Sequence, residues 1–225
     1  MPTRRATRLI ATMCPFPGPF PEPWHGLLST AYGEGRRAYH TLAHVAEVLQ
    51  HLHWARDLLP APLVDEPSVV VAILFHDAVY DARAKDNEAR SAALAREALA
   101  AAPIADPARV TELILATARH GAIDPGGDRD LALFLDCDMA ILGAAEARYD
   151  AYERGVAYEY AEAYPPAAFR EGRAAFLEAL AARPRLFATA LFHDTYDATA
   201  RANLRRAIAA LRAAPAPAPS APRTP

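Results

Sequence analysis

Val69-Val70-Val71-Ala72-Ile73-Leu74-Phe75-His76-Asp77-Ala78-Val79-Tyr80 is apolar from end to end except for one imidazole and one carboxylate. Such a run belongs in an interior, and it predicts a buried helix over 67–80. Pro67 suits the first turn, where its missing N–H would have had no intrahelical partner. His76-Asp77 then falls at the end of that helix, where an unpaired carboxylate costs several kcal/mol. A hydrogen bond or ion pair between the two side chains would offset the cost. So would a metal ion, which supplies the countercharge and binds a neutral imidazole directly.

Outward from this run, apolar residues recur at helical spacing while hairpin dipeptides are scarce, which predicts an all-α chain. Helices are expected over 24–33, 41–59, 67–80, 86–102, 107–120, 128–142, 145–164, 166–182 and 185–212, the last with a break near His193. Asp106-Pro107 gives a cap followed by a first-turn proline. Gly121, Asp124-Pro125-Gly126-Gly127, Gly143 and Pro165-Pro166 punctuate the helix ends. The composition divides the chain into a flexible Pro-rich leader over 1–22, one helical domain over 23–212 and a disordered Ala/Pro tail over 213–225.

The 24 basic and 27 acidic residues nearly cancel, leaving a formal charge of -3. That excludes a broad electrostatic footprint for a nucleic-acid polymer or an anionic membrane, although a small anionic substrate needs only a local basic cluster. Cys14 and Cys137 form no disulfide framework, which fits a reducing cytoplasm. Arg4, Arg5 and Arg8 precede too short an apolar stretch for a signal sequence, and no stretch is long enough to span a bilayer. The expected location is cytoplasmic, with no membrane partner.

Two further segments join the first, and the second of them repeats its anomaly. Arg37-Ala38-Tyr39-His40-Thr41-Leu42-Ala43-His44 spaces two histidines four residues apart, one turn on a shared helix face. Leu131-Ala132-Leu133-Phe134-Leu135-Asp136-Cys137-Asp138-Met139-Ala140-Ile141-Leu142-Gly143 puts two aspartates into an apolar helix, which ordinary core helices seldom do. Histidine nitrogens with carboxylate oxygens suit a divalent cation (Mn, Fe, Co, Ni, Zn or Mg) with positions left for water and substrate. Arg37 and Arg173 are candidate phosphate clamps, because guanidinium forks match phosphate oxygens, with surface ion pairs as the alternative. His25, His51 and His53 lack a partnering motif, and the four tyrosines Tyr149, Tyr152, Tyr158 and Tyr160 read as packing.

These residues resemble the HD superfamily, and within it a family of small bacterial proteins described as predicted metal-dependent phosphohydrolases. The resemblance runs from Tyr32 to Leu211. It takes in Arg37 with Tyr39-His40 and His44, Phe75 through Asp81, Asn87-Glu88 with Ser91, and Thr117 with His120. It continues through Phe134 to Asp138 with Leu142-Gly143, then Tyr149 with Tyr152, Glu159-Tyr160, Gly172-Arg173 and Arg201 with Asn203-Leu204. Ala157 departs from the pattern, which has an arginine there, and this bears on substrate range rather than on the metal site.

The resemblance implies an HD-type helical bundle with His44, His76, Asp77 and Asp138 as metal ligands. Asp138 is chosen over Asp136 because Leu142-Gly143 follow it at the superfamily's spacing, which leaves Asp136 a supporting or capping role. His40 stands where related cyclic-nucleotide phosphodiesterases carry a general acid, so His40, Asp77 and Asp138 are the expected catalytic groups. Arg37, His120, Arg173 and Glu88 are expected to meet substrate. The implied activity is hydrolysis of a small phosphoester, a nucleotide or related metabolite. The alternatives are a di-iron oxygenase using His120 and Asp81, or a metal-binding regulatory module without turnover. His193-Asp194, an echo of the first doublet, lacks companion segments and is expected to bind no catalytic metal.

Overall fold

The computed structural model describes residue 10 and residues 21–120 and 124–213. Among them are helices and connecting segments and no strand, as the all-α reading requires. The helices are α1 (Glu22–Ala31), α2 (Leu42–Arg56), α3 (Glu66–Phe75), α4 (Asn87–Ala101), α5 (Pro107–Thr117) and α6 (Arg129–Met139). A 3-10 turn (Ala140–Gly143) leads to α7 (Glu146–Tyr160), α8 (Pro166–Ala181) and α9 (Ala190–Ala213). The Gly121 stop and nearly all of the expected leader and tail lie outside the described residues. Ile10, from the stretch read as leader, is fully buried in the core. No helix among the described residues is long and apolar enough to cross a membrane.

Helix α3 is the hub. Every residue from Ser68 to Phe75 is buried, and α2, α4, α5 and α6 pack around it, so it has no polar face to show. Pro67 sits in the first turn as expected, and the Asp65 carboxylate caps the start by accepting from Ser68 N. Asp106 caps Ala108 N ahead of Pro107 in the same way, and Asp128 caps Leu131 N.

The end of α6 is pinned by α9. Asp136 accepts from Ala188 N, Thr189 N and Thr189 Oγ1 at the entrance to α9. Asn203, buried on α9, donates to Leu142 O and Ala144 O. The backbone approach is close: a Cβ on Gly143 would lie 2.5 Å from Tyr196 Cβ. Only glycine fits that contact.

Among the element boundaries that differ from the sequence expectation, three bear on the histidine-aspartate segments. Helix α3 stops at Phe75 instead of Tyr80, because its next backbone groups have tertiary partners. Arg37 takes the carbonyls of Asp77 and Ala78, and Ser91 Oγ accepts from Val79 N. Helix α2 begins at Leu42, so His40 precedes it rather than sharing a helical face with His44. Helix α9 begins at Ala190 and runs through His193 without a break.

Candidate functional site

Three segments far apart in the chain bring their buried polar groups to one point. His44 enters from the first turn of α2, His76 caps the C-terminus of α3 with Asp77 next to it, and Asp138 lies in the last turn of α6. His44 Nε2 is 3.2 Å from His76 Nε2 and 3.0 Å from Asp138 Oδ1. His76 Nε2 is 3.1 Å from Asp77 Oδ2 and 3.5 Å from Asp138 Oδ1. Ligand atoms of His44, His76 and Asp77 all lie within 4.8 Å of one another. Asp138 stands against both imidazoles, so the four expected ligands form one cluster.

The electrostatics of the cluster call for positive charge. Burial opposes ionisation of Asp77 and Asp138, yet His76 together with His40 and His44 at Asp77, and with His120 and His44 at Asp138, outweighs it and holds both carboxyls well below the usual range. Burial likewise opposes the His76 imidazolium, but Asp77 and Asp138 raise its pKa well above the ordinary value. A proton on His76 would supply a countercharge for the two adjacent carboxylates. A divalent cation could replace it, because His76 Nδ1 bonds Ile73 O and leaves Nε2 to act as a ligand. The donor set, two imidazole nitrogens and two carboxylates, fits such an ion.

His40 is held beside this cluster by a residue to which sequence reasoning gave no role. Glu159 Oε1 accepts from the amides of Ala38, Tyr39 and His40, and Oε2 meets His40 Nδ1 at 2.6 Å. Those bonds replace the helical ones this segment would otherwise make. Helix α7 comes close enough because of Gly155, where a Cβ would sit 3.1 Å from Tyr39 Cβ. Burial works against the Glu159 carboxylate, but the His40 contact and the amides bring its pKa down to about 2. Burial also opposes a charged His40, while Asp77 and Glu159 reverse the balance and raise its pKa. A signal was present in the sequence: Tyr149, Tyr152, Val156 and Glu159 share one helical face, and the carboxylate is the odd member of a buried row.

The remaining candidates divide. His120 Nε2 lies 2.8 Å from Asp138 Oδ2, although it has no aligned hydrogen-bond acceptor. Asp138, near His76, raises the pKa of His120 against the effect of burial. Glu88 lines the adjoining cleft. Arg37 and Arg173, expected as phosphate clamps, have their guanidinium groups committed elsewhere. Arg37 donates to the carbonyls of His40, Asp77 and Ala78, and Arg173 makes a fork with Glu153 and donates to Tyr152 Oη. Asp81 is exposed and caps its own turn at Arg83 N. His193 lies 3.5 Å from Asp197 on the same helix and takes no part in the cluster.

The cluster opens into a cleft of about 710 Å³ bordered by α7, α8 and the segment Tyr80–Glu88, a size typical of small-molecule sites. No family model, curated protein or solved structure matches the chain.

Proposed function

We propose that the chain is a metal-dependent phosphohydrolase built on an HD-type helical bundle and acting on a small phosphoester, a nucleotide or related metabolite. The observation that carries this reading is the meeting of His44, His76, Asp77 and Asp138 from three separate segments at the closed end of a cleft. These residues would hold the cation. A bound divalent ion supplies a Lewis acid for a phosphoryl oxygen and lowers the pKa of water.

The rest of the chemistry falls to the chain's own side chains. Asp77 or Asp138 orients the attacking water through a carboxylate oxygen. His40, with Nδ1 held by Glu159, protonates the leaving oxygen through Nε2, and the Glu159 carboxylate stabilises the imidazolium beforehand. His120 and Glu88 are placed to contact the bound ester, while Arg37 and Arg173 hold the walls. The test is to strip the protein of metal, add Mn, Fe, Co, Ni, Zn or Mg singly, and assay nucleotides, sugar phosphates and aryl phosphates. Turnover with at least one ion and none without is expected. Silence with every ion across the panel overturns the proposal.

One contact favours a second reading. Asp138 faces His44 with Oδ1 and His120 with Oδ2, so His120 would be at hand as a further nitrogen ligand. A di-iron oxygenase would draw on such an enlarged donor set for its oxygen chemistry. Two irons per chain with oxygen consumption, and no phosphoester turnover, would favour it.

A further inference from the structure

Two rows of rings lead outward from the cluster along the walls of the cleft. On one wall the His44 ring lies 4.7 Å from Tyr39, and Tyr39 lies 4.5 Å from Tyr152. The Arg173 guanidinium follows, 5.2 Å from the ring of Tyr152 and 5.2 Å from that of Phe176. On the other wall His40 stacks on Tyr80 at 4.4 Å. Beyond it Tyr160 stacks with Tyr164 at 5.9 Å and meets Phe169 at 5.8 Å. At the outer end the rings are wet: Tyr164 is 42% and Phe176 45% exposed, although both line the cleft. Aromatic surface left uncovered inside a concavity marks a contact the fold itself does not make. The floor between Phe169 and Phe176 is open, since a Cβ on Gly172 would meet nothing within 4 Å.

The charges restrict what can enter. Apart from histidines, the cationic side chains lining the cleft are Lys85 and Arg173, and Arg173 is already neutralised by Glu153. Asp77, Asp138 and Glu88 line the same space. One phosphoryl group can be met at the cluster by a cation with His40 and His120. Among the described residues a second or third phosphate would find only Lys85, where polyphosphate sites rely on several cationic or backbone donors.

We infer that the outer cleft is a ring-stacking subsite, formed by Tyr160, Tyr164, Phe169 and Phe176, for the planar group of a phosphomonoester. The substrate class is then a nucleoside monophosphate or a planar-ring phosphate of similar size, and neither a nucleoside triphosphate nor an aliphatic phosphate. This rests on the phosphohydrolase reading for its phosphate end, but the subsite can be tested without it.

The metal-loaded full chain is assayed with adenosine 5′-monophosphate, uridine 5′-monophosphate, ribose 5-phosphate and adenosine triphosphate. The monophosphates and ribose 5-phosphate share one leaving oxygen, so their difference reports the base alone. We expect kcat/KM for the monophosphates to exceed that for ribose 5-phosphate by roughly tenfold or more, the scale of one base–aromatic stack. Phe176→Ala and Tyr164→Ala, at half-exposed positions, should shrink that ratio by a similar factor. Equal rates with and without a base, a ratio unmoved by both substitutions, or preference for the triphosphate overturns the subsite. In parallel, adenosine binding to the metal-free chain is followed by NMR line broadening, and Phe176→Ala should weaken it. A chain that binds adenosine in this way but cleaves no ester supports the subsite and defeats the phosphohydrolase reading. One that cleaves ribose 5-phosphate as well as the monophosphates does the reverse.

Discussion

The chain contains Leu-Phe-His-Asp twice, as Leu74-Phe75-His76-Asp77 and as Leu191-Phe192-His193-Asp194, and the two copies do opposite things. In the first, the helix ends as the doublet begins, and Asp77 Oδ2 turns to within 3.1 Å of His76 Nε2. In the second, α9 continues for more than four turns beyond the doublet, so the two side chains leave the helix in different directions. Asp194 is exposed, and His193 faces Asp197 one turn on instead. An adjacent histidine and aspartate converge here because the helix stops beneath them. What stops it is remote: Arg37 and Ser91 take the backbone groups that a further turn would have used.

The largest effect should appear in metal retention. His76→Ala and Asp77→Ala are expected to bring bound metal to background by elemental analysis of the purified protein. His193→Ala and Asp194→Ala should leave it at the wild-type level. Equal loss in both pairs would erase the difference between the two copies.

Next in size is the loss of a proton donor that only the first doublet has nearby. His40→Ala should keep its metal and lose turnover on a nucleoside or alkyl phosphoester by about 10²–10⁴-fold, the usual contribution of general acid catalysis. An aryl phosphoester, whose phenolate leaves unaided, should lose much less. Metal loss in this variant would make His40 a ligand and strengthen the two-ion reading.

How much of this was legible follows the same division between local and remote causes. The helices, the cap at Asp106 and the first-turn proline at Pro67 were readable because a cap and a periodic apolar face are local properties. Two segments of the cluster, those of His76-Asp77 and Asp138, were readable because charge inside an apolar run is anomalous wherever it occurs, and the third was readable from the spacing of His40 and His44. The stop after Phe75 was not, since Arg37 reaches it from 40 residues away. Nor was the displacement of His40 from α2, which depends on a carboxylate 119 residues later. Arg37 and Arg173 read as phosphate clamps for the same reason: a sequence shows a guanidinium but not the carbonyls and carboxylate that occupy it.

Glu159→Gln tests that remote support directly. The amide can still accept from the three backbone N–H groups, but it removes the charge facing His40. A carboxyl depressed from 4.5 to about 2 corresponds to roughly 3 kcal/mol. The sign is fixed by direction. The Glu159 contribution is present above its unfolded pKa and is lost as pH falls through about 2. The raised His40 contributes below its unfolded value of 6.5 and loses that as pH rises through its folded pKa. Urea unfolding of the metal-free chain should therefore show wild type and variant furthest apart between about pH 4.5 and 6.5, converging toward strong acid. A gap that stayed constant from pH 6.5 down to about pH 2 would mean that Glu159 acts by packing alone.

The smallest effect belongs to the second doublet. Asp197 lies 3.5 Å from His193 and forms an ion pair with Arg201 at 2.7 Å, and it accepts from Leu186 N. Burial opposes its ionisation, but the Arg201 contact and the Leu186 amide hold its pKa below the usual value. A depressed carboxyl stabilises the fold above its unfolded pKa and ceases to do so once pH has fallen through the folded one. Asp197→Asn keeps an acceptor for Leu186 N and loses the charge, so it should cost about 1 kcal/mol at neutral pH, the scale of a well-formed ion pair near the surface. The gap should close as pH falls through the depressed Asp197 pKa, and it should shrink in high salt, because screening weakens an exposed pair more than a buried one. Metal content should not change. A loss of metal in Asp197→Asn would show that the second copy supports the cluster after all, and the contrast between the two doublets would have to be redrawn around α9.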